Sequence, residues 1–188
     1  MSSSSVTTPK VLVTGANGYI GASLVKSLLE QNYRVRGSLR TCDVENKAET
    51  DALKSMQNAS TNLELVPLEL EGPDDAFDRA VQDIDWVMHT ASPVTLAKIK
   101  NEQTIIRPAV TGGTLQMLRA AHASTTVRKF ILTSSIAAIA TGNVQITSFT
   151  EEDSDAPNLV AYGKSKALSE RAAWKFMDDN TPNFTLSA

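Results

Sequence analysis

The run Thr14-Gly15-Ala16-Asn17-Gly18-Tyr19-Ile20-Gly21 follows Lys10-Val11-Leu12-Val13 directly and opens the amphipathic stretch from Ala22 to Glu30. A strand, a tight glycine-rich turn and a helix N-terminus in that order constrain the chain more than any other feature. Backbone N–H groups of the turn and the positive end of the helix dipole converge on one point, which suits a pyrophosphate. Gly15 and Gly18 permit the tight turn and a close ligand, and Gly21 lets the helix approach the strand. The spacing is G-x-x-G-x-x-G rather than the commoner G-x-G-x-x-G. Three glycines alone would also fit a structural turn in another α/β domain. Placement behind the first strand favours the phosphate-binding reading.

Strand-like and helix-like segments alternate from there on. Lys10 to Thr14 reads as strand one and Gly18 to Gln31 as a helix with Ile20, Leu24, Val25, Leu28 and Leu29 on one face. Arg34 to Ser38 is strand two, and a polar helix lies between Val44 and Asn58. Leu63 to Leu68 is strand three, followed by a short helix from Pro73 to Gln82 that opens on an allowed proline. Ile84 to His89 is strand four. A long helix from about Asn101 to His122 is expected to kink near Pro108. Lys129 to Ser134 is strand five, Val160 to Asp178 a helix, and Asn183 to Ser187 strand six. This rhythm predicts an α/β fold with a doubly wound parallel sheet of about six strands and right-handed crossovers. Residues 9–188 form one dinucleotide-binding domain, and residues 1–8, polar and serine-rich, are expected to be a disordered lead-in rather than a signal peptide.

Charge and cysteine content remove several function classes. A net charge of −3 gives no electrostatic reason to expect nucleic acid or an anionic membrane. Cys42 is the single cysteine, so no internal disulfide forms, and with two histidines it builds no familiar zinc site. No apolar run reaches bilayer-spanning length. The expectation is a reduced, soluble, cytoplasmic protein without a metal.

In a doubly wound sheet the end of strand two meets the adenine ribose. An acid there favours a free 2′-hydroxyl, and an arginine accommodates a 2′-phosphate. Here Arg40 stands at that place in Arg36-Gly-Ser-Leu-Arg-Thr-Cys-Asp43. Its guanidinium fork suits a phosphate, and Lys47 adds a second charge from the following helix. Arg36, inside the strand, points elsewhere. The predicted cofactor is NADP(H). Asp43 is the competing feature, since a register shifted by three residues would favour NAD.

Tyr162 and Lys166 are four apart on the helix after strand five, so they share a face. A lysine ammonium beside a phenol stabilises the phenolate and so eases proton transfer from the hydroxyl. Ser134 and Ser135 follow strand five at the carboxyl end of the sheet, where ligands bind in this architecture. A serine hydroxyl there can hydrogen-bond a carbonyl while the tyrosine delivers the proton. A solvated helix pair and a strand-end serine cap are the plain alternatives for each element alone. Their order behind a phosphate loop is what argues for chemistry.

Together, Thr14 to Gly21, Val35 to Arg40, His89-Thr-Ala-Ser-Pro93, Val127 to Ser135 and Tyr162-Gly-Lys-Ser-Lys166 resemble the extended short-chain dehydrogenase/reductase superfamily. Within it the likeness is to dihydroflavonol 4-reductases, cinnamoyl-CoA reductases and fungal NADPH-dependent aldehyde and methylglyoxal reductases, from Pro9 onward. The resemblance implies Tyr162 as proton donor, Lys166 as its partner and a ligand of the nicotinamide ribose, and Ser135 polarising the carbonyl. It implies a cofactor site at Gly15, Asn17, Gly18, Tyr19, Ile20 and Gly21, with Arg40 and Lys47 on the 2′-phosphate and Thr90, Ala91 and Ser92 after strand four. Relatives carry Asp-Leu near the adenine after strand three. This chain has Glu69-Leu70, one methylene longer. His89 is expected to be a satisfied strand-end residue.

Relatives continue past strand six into a smaller lobe that encloses the substrate, whereas this sequence stops at Ala188. The expectation is therefore a complete cofactor and catalytic set with most of the substrate pocket missing, impaired turnover, and an exposed edge around Phe184 to Leu186 through which chains could associate. The full-length form is expected to be a monomer or homodimer. Three functions stay open: an NADPH-dependent reductase of an aldehyde or ketone, a non-catalytic dinucleotide-binding or regulatory remnant, and a nucleotide-sugar epimerase or dehydratase. Arg40 argues against the last, whose members commonly hold NAD.

Overall fold

The structure, a computed structural model, describes residues 8–40, 47–94, 100–140, 148–150, 153 and 159–188. Asp43 and Cys42 lie outside them, as do residues 1–7 of the expected lead-in.

Six parallel strands form one sheet in the order β3-β2-β1-β4-β5-β6. They are β1 (Lys10–Thr14), β2 (Arg34–Leu39), β3 (Leu63–Pro67), β4 (Trp86–His89), β5 (Lys129–Leu132) and β6 (Thr185–Ser187). Each predicted strand is present, β1 with the expected bounds and the others with one end shifted by one or two residues. The register runs Val11 beside Val35 on one side and Val11 beside Trp86 on the other. β1 is thus central, and the chain reverses its direction of winding between β1 and β4. In this architecture ligands bind at the carboxyl ends of the strands flanking that reversal.

Burial on both faces explains why β1 reads as a nearly continuous apolar run. Side chains alternate along a strand, so Leu12 faces one layer while Val11 and Val13 face the other. Leu12 packs with Phe77, Val87, Met117, Phe130, Phe176 and Phe184. Val11 and Val13 pack with Val25, Leu28, Leu29, Val35 and Leu53. The first layer is covered by α4 (Asp74–Val81), α6 (Gln116–Ala123) and α7 (Ala161–Asn180), and the second by α1 (Tyr19–Glu30) and α2 (Lys47–Lys54).

The remaining helices depart from the sequence reading. The helix expected between Val44 and Asn58 is described from Lys47 to Lys54, and a short α3 (Ala59–Asn62) follows a left-handed Asn58 with φ of 62°. The long helix near Pro108 is divided into α5 (Gln103–Ala109), a π-helical segment over Val110–Leu115, and α6. Proline lacks an N–H and its ring crowds the preceding turn, and the widened turn follows it immediately. Phe184, expected at an exposed edge, is buried beside Phe130 with ring centroids 5.9 Å apart, and Leu186 packs partly on the same core. Among the described residues no helix is long and apolar enough to cross a membrane.

Candidate functional site

A cleft of about 620 Å³ opens at the carboxyl ends of β1 to β4. Gly15, Asn17, Gly18, Tyr19, Ile20 and Gly21 line it from the first loop, Arg40 from the end of β2, Glu69 and Leu70 from beyond β3, and Thr90, Ala91 and Ser92 from beyond β4. Twelve of the sequence-predicted cofactor residues therefore meet in one place. Pro108 of α5 closes the far side, a contribution the sequence reading did not include.

The first loop is built from backbone. Gly15 adopts φ of +66°, and Gly18 donates its N–H to Gly15 O at 2.9 Å. A Cβ on Gly21 would lie 2.1 Å from Gly15 O and 2.9 Å from Gly15 C, so the α1 terminus packs where only hydrogen fits. α1 starts behind Gly18 with no side-chain cap and no acid in its first turn. Its leading N–H groups and dipole are therefore available to an anion. Ser92 Oγ, at the cleft wall, is buried without a hydrogen-bond partner. An uncapped helix start, a cradle that a side chain would fill, an unpartnered hydroxyl and Arg40 together fit a phosphate-bearing dinucleotide.

Lys47 is placed differently. Its ammonium pairs with Asp51 one turn along α2, and it is not among the residues lining the cleft. The α2 side chain that reaches the loop is Glu49, whose Oε2 accepts from Asn17 Nδ2 at 2.6 Å. Arg36 is likewise turned away from the cleft. It is buried, bonds Glu64 at 2.9 Å, and donates to the carbonyls of Arg79, Ala80 and Gln82 at the end of α4. Burial would raise the Glu64 carboxyl, but hydrogen bonds and charge from Lys10 and Arg36 hold it below its usual value.

One hydroxyl adds to the ladder that joins β4 to β1. Thr14 Oγ1 accepts from Thr90 N at 3.1 Å and Ala91 N at 3.0 Å, and lies 2.9 Å from His89 Nδ1. A hydroxyl has two acceptor positions and one hydrogen. With both positions used, its hydrogen goes to Nδ1, which makes His89 the neutral Nε2–H tautomer. Burial, followed by the charge of Lys166, lowers the imidazole to about 3. His89 is thus held at the strand end through Nδ1.

At the other rim of the candidate site, beside the cleft, α7 holds the segment after β5; Ser135 and Tyr162 are not among the residues lining the cleft. Lys166 Nζ donates to Thr133 O at 2.7 Å, and Ser134 Oγ donates to Glu170 Oε2 at 2.5 Å. Tyr162, Lys166 and Glu170 are spaced by four and share a face of α7. Glu170 was missed in the sequence, although extending the spacing by one turn would have found it. Ser135 caps a short 3-10 turn, Ile136–Ala138, its Oγ accepting from Ala137 N at 3.2 Å. Ala138 of that turn packs against Leu159 and Ala167, which brings the start of α7, with Tyr162, alongside. Lys166 is 7% exposed, and burial lowers its ammonium from the ordinary lysine value. It lines a cavity of about 10 Å³ with His89, Ala91 and Ser92. Ala91 and Ser92 also line the main cleft, so the two spaces share a wall.

Strand order 3-2-1-4-5-6 with a cleft at the reversal defines a Rossmann-like α/β protein. The sequence narrows this further: residues 11–187 match the NAD dependent epimerase/dehydratase family, and the chain belongs to it. It is 36% identical over 197 residues to aldehyde reductase 2 of Sporidiobolus salmonicolor, covering 95% of this chain and 55% of that protein. It is 39% identical over 181 residues to cinnamoyl-CoA reductase CAD2 of Medicago truncatula, covering 90% and 53%. Among solved structures it is similar to yeast methylglyoxal/isovaleraldehyde reductase Gre2 complexed with NADPH, at 31% identity and a TM-score of 0.79, covering 95% of this chain and 56% of that one. The chain spans about half the length of the curated relatives it matches.

Proposed function

We propose that the cleft binds NADP(H) and that the protein reduces the carbonyl of a small aldehyde or ketone to the alcohol. The observation that carries this reading is a backbone-built anion cradle with Arg40 in the same cleft, beside a small cavity that shares Ala91 and Ser92 with it and is lined by Ser134 and Lys166. The reductases named above support the cofactor and the reaction class. The family also includes epimerases and dehydratases by its description, and Arg40 in the cleft favours the reductase reading, because its fork suits a 2′-phosphate.

In this reading the uncapped α1 terminus holds the pyrophosphate, Ser92 Oγ gains a partner, and Arg40 holds the 2′-phosphate. The bound dinucleotide supplies the hydride that forms the new C–H bond. Ser135 donates a hydrogen bond to the substrate oxygen, and Tyr162 gives that oxygen its phenolic proton. The Lys166 ammonium stabilises the resulting phenolate until solvent returns the proton. Placing the carbonyl within reach of both rims, away from bulk water, supplies the orientation that the transfer needs.

The test is NADPH consumption and alcohol formation with a panel of aldehydes and ketones. It would be run on the 188-residue chain and on a chimera continuing past Ala188 with the corresponding part of a reductase relative. In the chimera Tyr162→Phe is expected to lower turnover by about 10²- to 10⁴-fold while NADPH affinity stays within twofold, because only the transferable proton is lost. Alcohol formation persisting in that variant would remove Tyr162 as donor. Absence of NADPH binding would remove the reading altogether.

A further inference from the structure

Which charges of α2 meet the nucleotide loop is settled by helical geometry. Lys47 and Asp51 are one turn apart and pair with each other on an exposed face. Glu49, two residues from Lys47, points about 200° around the helix from it. Its carboxylate accepts from Asn17 Nδ2 at 2.6 Å, and Asn17 lines the cleft together with Arg40. The loop that lines the cleft is thus met from α2 by an anion, while the exposed Lys47 ammonium is paired with Asp51.

We propose that Glu49 is a specificity-determining residue: its carboxylate, fastened to Asn17, opposes the 2′-phosphate of NADP(H) and moderates the preference that Arg40 creates. This rests on the NADP(H) reading above. A hydrogen bond to a charged acceptor is stronger than a neutral one, so the carboxylate is held in place rather than free to swing into solvent. Two like charges at the partly solvated edge of a cleft repel, and salt weakens that repulsion. NADH, without the 2′-phosphate, does not meet it. Glu49 therefore acts on the difference between the two cofactors, whereas Gly15, Gly18 and Gly21 act on both.

The experiment titrates the 188-residue chain, Glu49→Gln and Glu49→Ala with NADPH and with NADH by nicotinamide fluorescence, at 50 and 500 mM salt. Glutamine keeps an oxygen for Asn17 and removes the charge, while alanine removes both. The expected result is that Glu49→Gln tightens NADPH about three- to tenfold at low salt, with the gain falling by half or more at high salt. NADH should change less than twofold. A merely structural role predicts no gain for glutamine and an equal, salt-independent weakening of both cofactors for alanine, and that pattern overturns the proposal. Unchanged affinities in Glu49→Gln overturn it as well, leaving the NADP(H) reading intact if the wild-type chain binds NADPH. A wild-type chain that binds neither cofactor overturns both.

Discussion

The two rims of the candidate site are made of different material. At the loop after β1 the site is backbone: Gly15 at positive φ, Gly21 against Gly15 O, and the bare start of α1. At the segment after β5 it is side chains: Lys166 on Thr133 O, Glu170 on Ser134 Oγ, and Ser135 at the head of a 3-10 turn. A backbone site tolerates many side chains at its non-glycine positions but no added Cβ where atoms already touch. Tyr19, 93% exposed, and Ile20, 56% exposed, show how little of that loop depends on side-chain burial. The side-chain rim reverses this, since its chemistry can be removed one functional group at a time with the fold left standing.

Gly21→Ala is the sharpest way to break this contrast. The added methyl would meet the Gly15 carbonyl at 2.1 Å, and backbone on both sides leaves nothing soft to move. We expect a stability loss of about 3 kcal/mol, the upper range for overpacking, together with loss of measurable NADPH binding. Gly18→Ala is the control, because its Cβ would stand 3.2 Å from the same oxygen. Its cost is expected to stay within about 1 kcal/mol. Urea unfolding and NADPH titration of both variants check this, and equal costs would show that the close approach does not govern the loop.

A smaller effect is expected where the rims meet. His89 accepts from Thr14 at one rim and feels the charge of Lys166 at the other. Its native value of about 3 lies below the unfolded one, so the unfolded chain binds an extra proton as pH falls through about 6.5. Stability contributed by the neutral ring is thus complete above that pH and is lost on acidification, by up to about 1.4 kcal/mol per unit. Glu64, also depressed, loses its contribution only below about 4.5. Unfolding at pH 7.5, 6.0 and 5.0 isolates the histidine. His89→Asn, whose side-chain oxygen can take the Thr14 hydrogen bond, is expected to flatten the slope. An unchanged slope would place the proton uptake elsewhere.

The same division explains what the sequence disclosed. The glycine loop, the alternation of strands and helices and the spacing of Tyr162 and Lys166 are local patterns, and each is legible in the sequence. Arg36 could be read as turned from the cleft because it stands inside β2 rather than at its end. Its partners, the α4 carbonyls some forty residues on, could not. That Lys47 pairs with Asp51 while Glu49 meets Asn17 depends on how α2 packs, which proximity in sequence does not reveal. The π-helical segment over Val110–Leu115 escaped for a related reason: proline announced a disturbance without specifying that the next turn would widen. Glu170 carried a usable signal in its spacing, while Glu49 carried none.

The central claim is that Arg40 makes this a cleft for the phosphorylated dinucleotide, and paired titrations of the 188-residue chain and Arg40→Ala with NADPH and NADH test it most directly. The account predicts that the wild-type chain binds NADPH at least about tenfold more tightly than NADH. It also predicts that Arg40→Ala loses about 1.5–3 kcal/mol of NADPH binding, the scale of a charge-assisted hydrogen bond, and leaves NADH nearly untouched. Equal affinities in the wild-type chain, or equal losses for both cofactors in the variant, would contradict it.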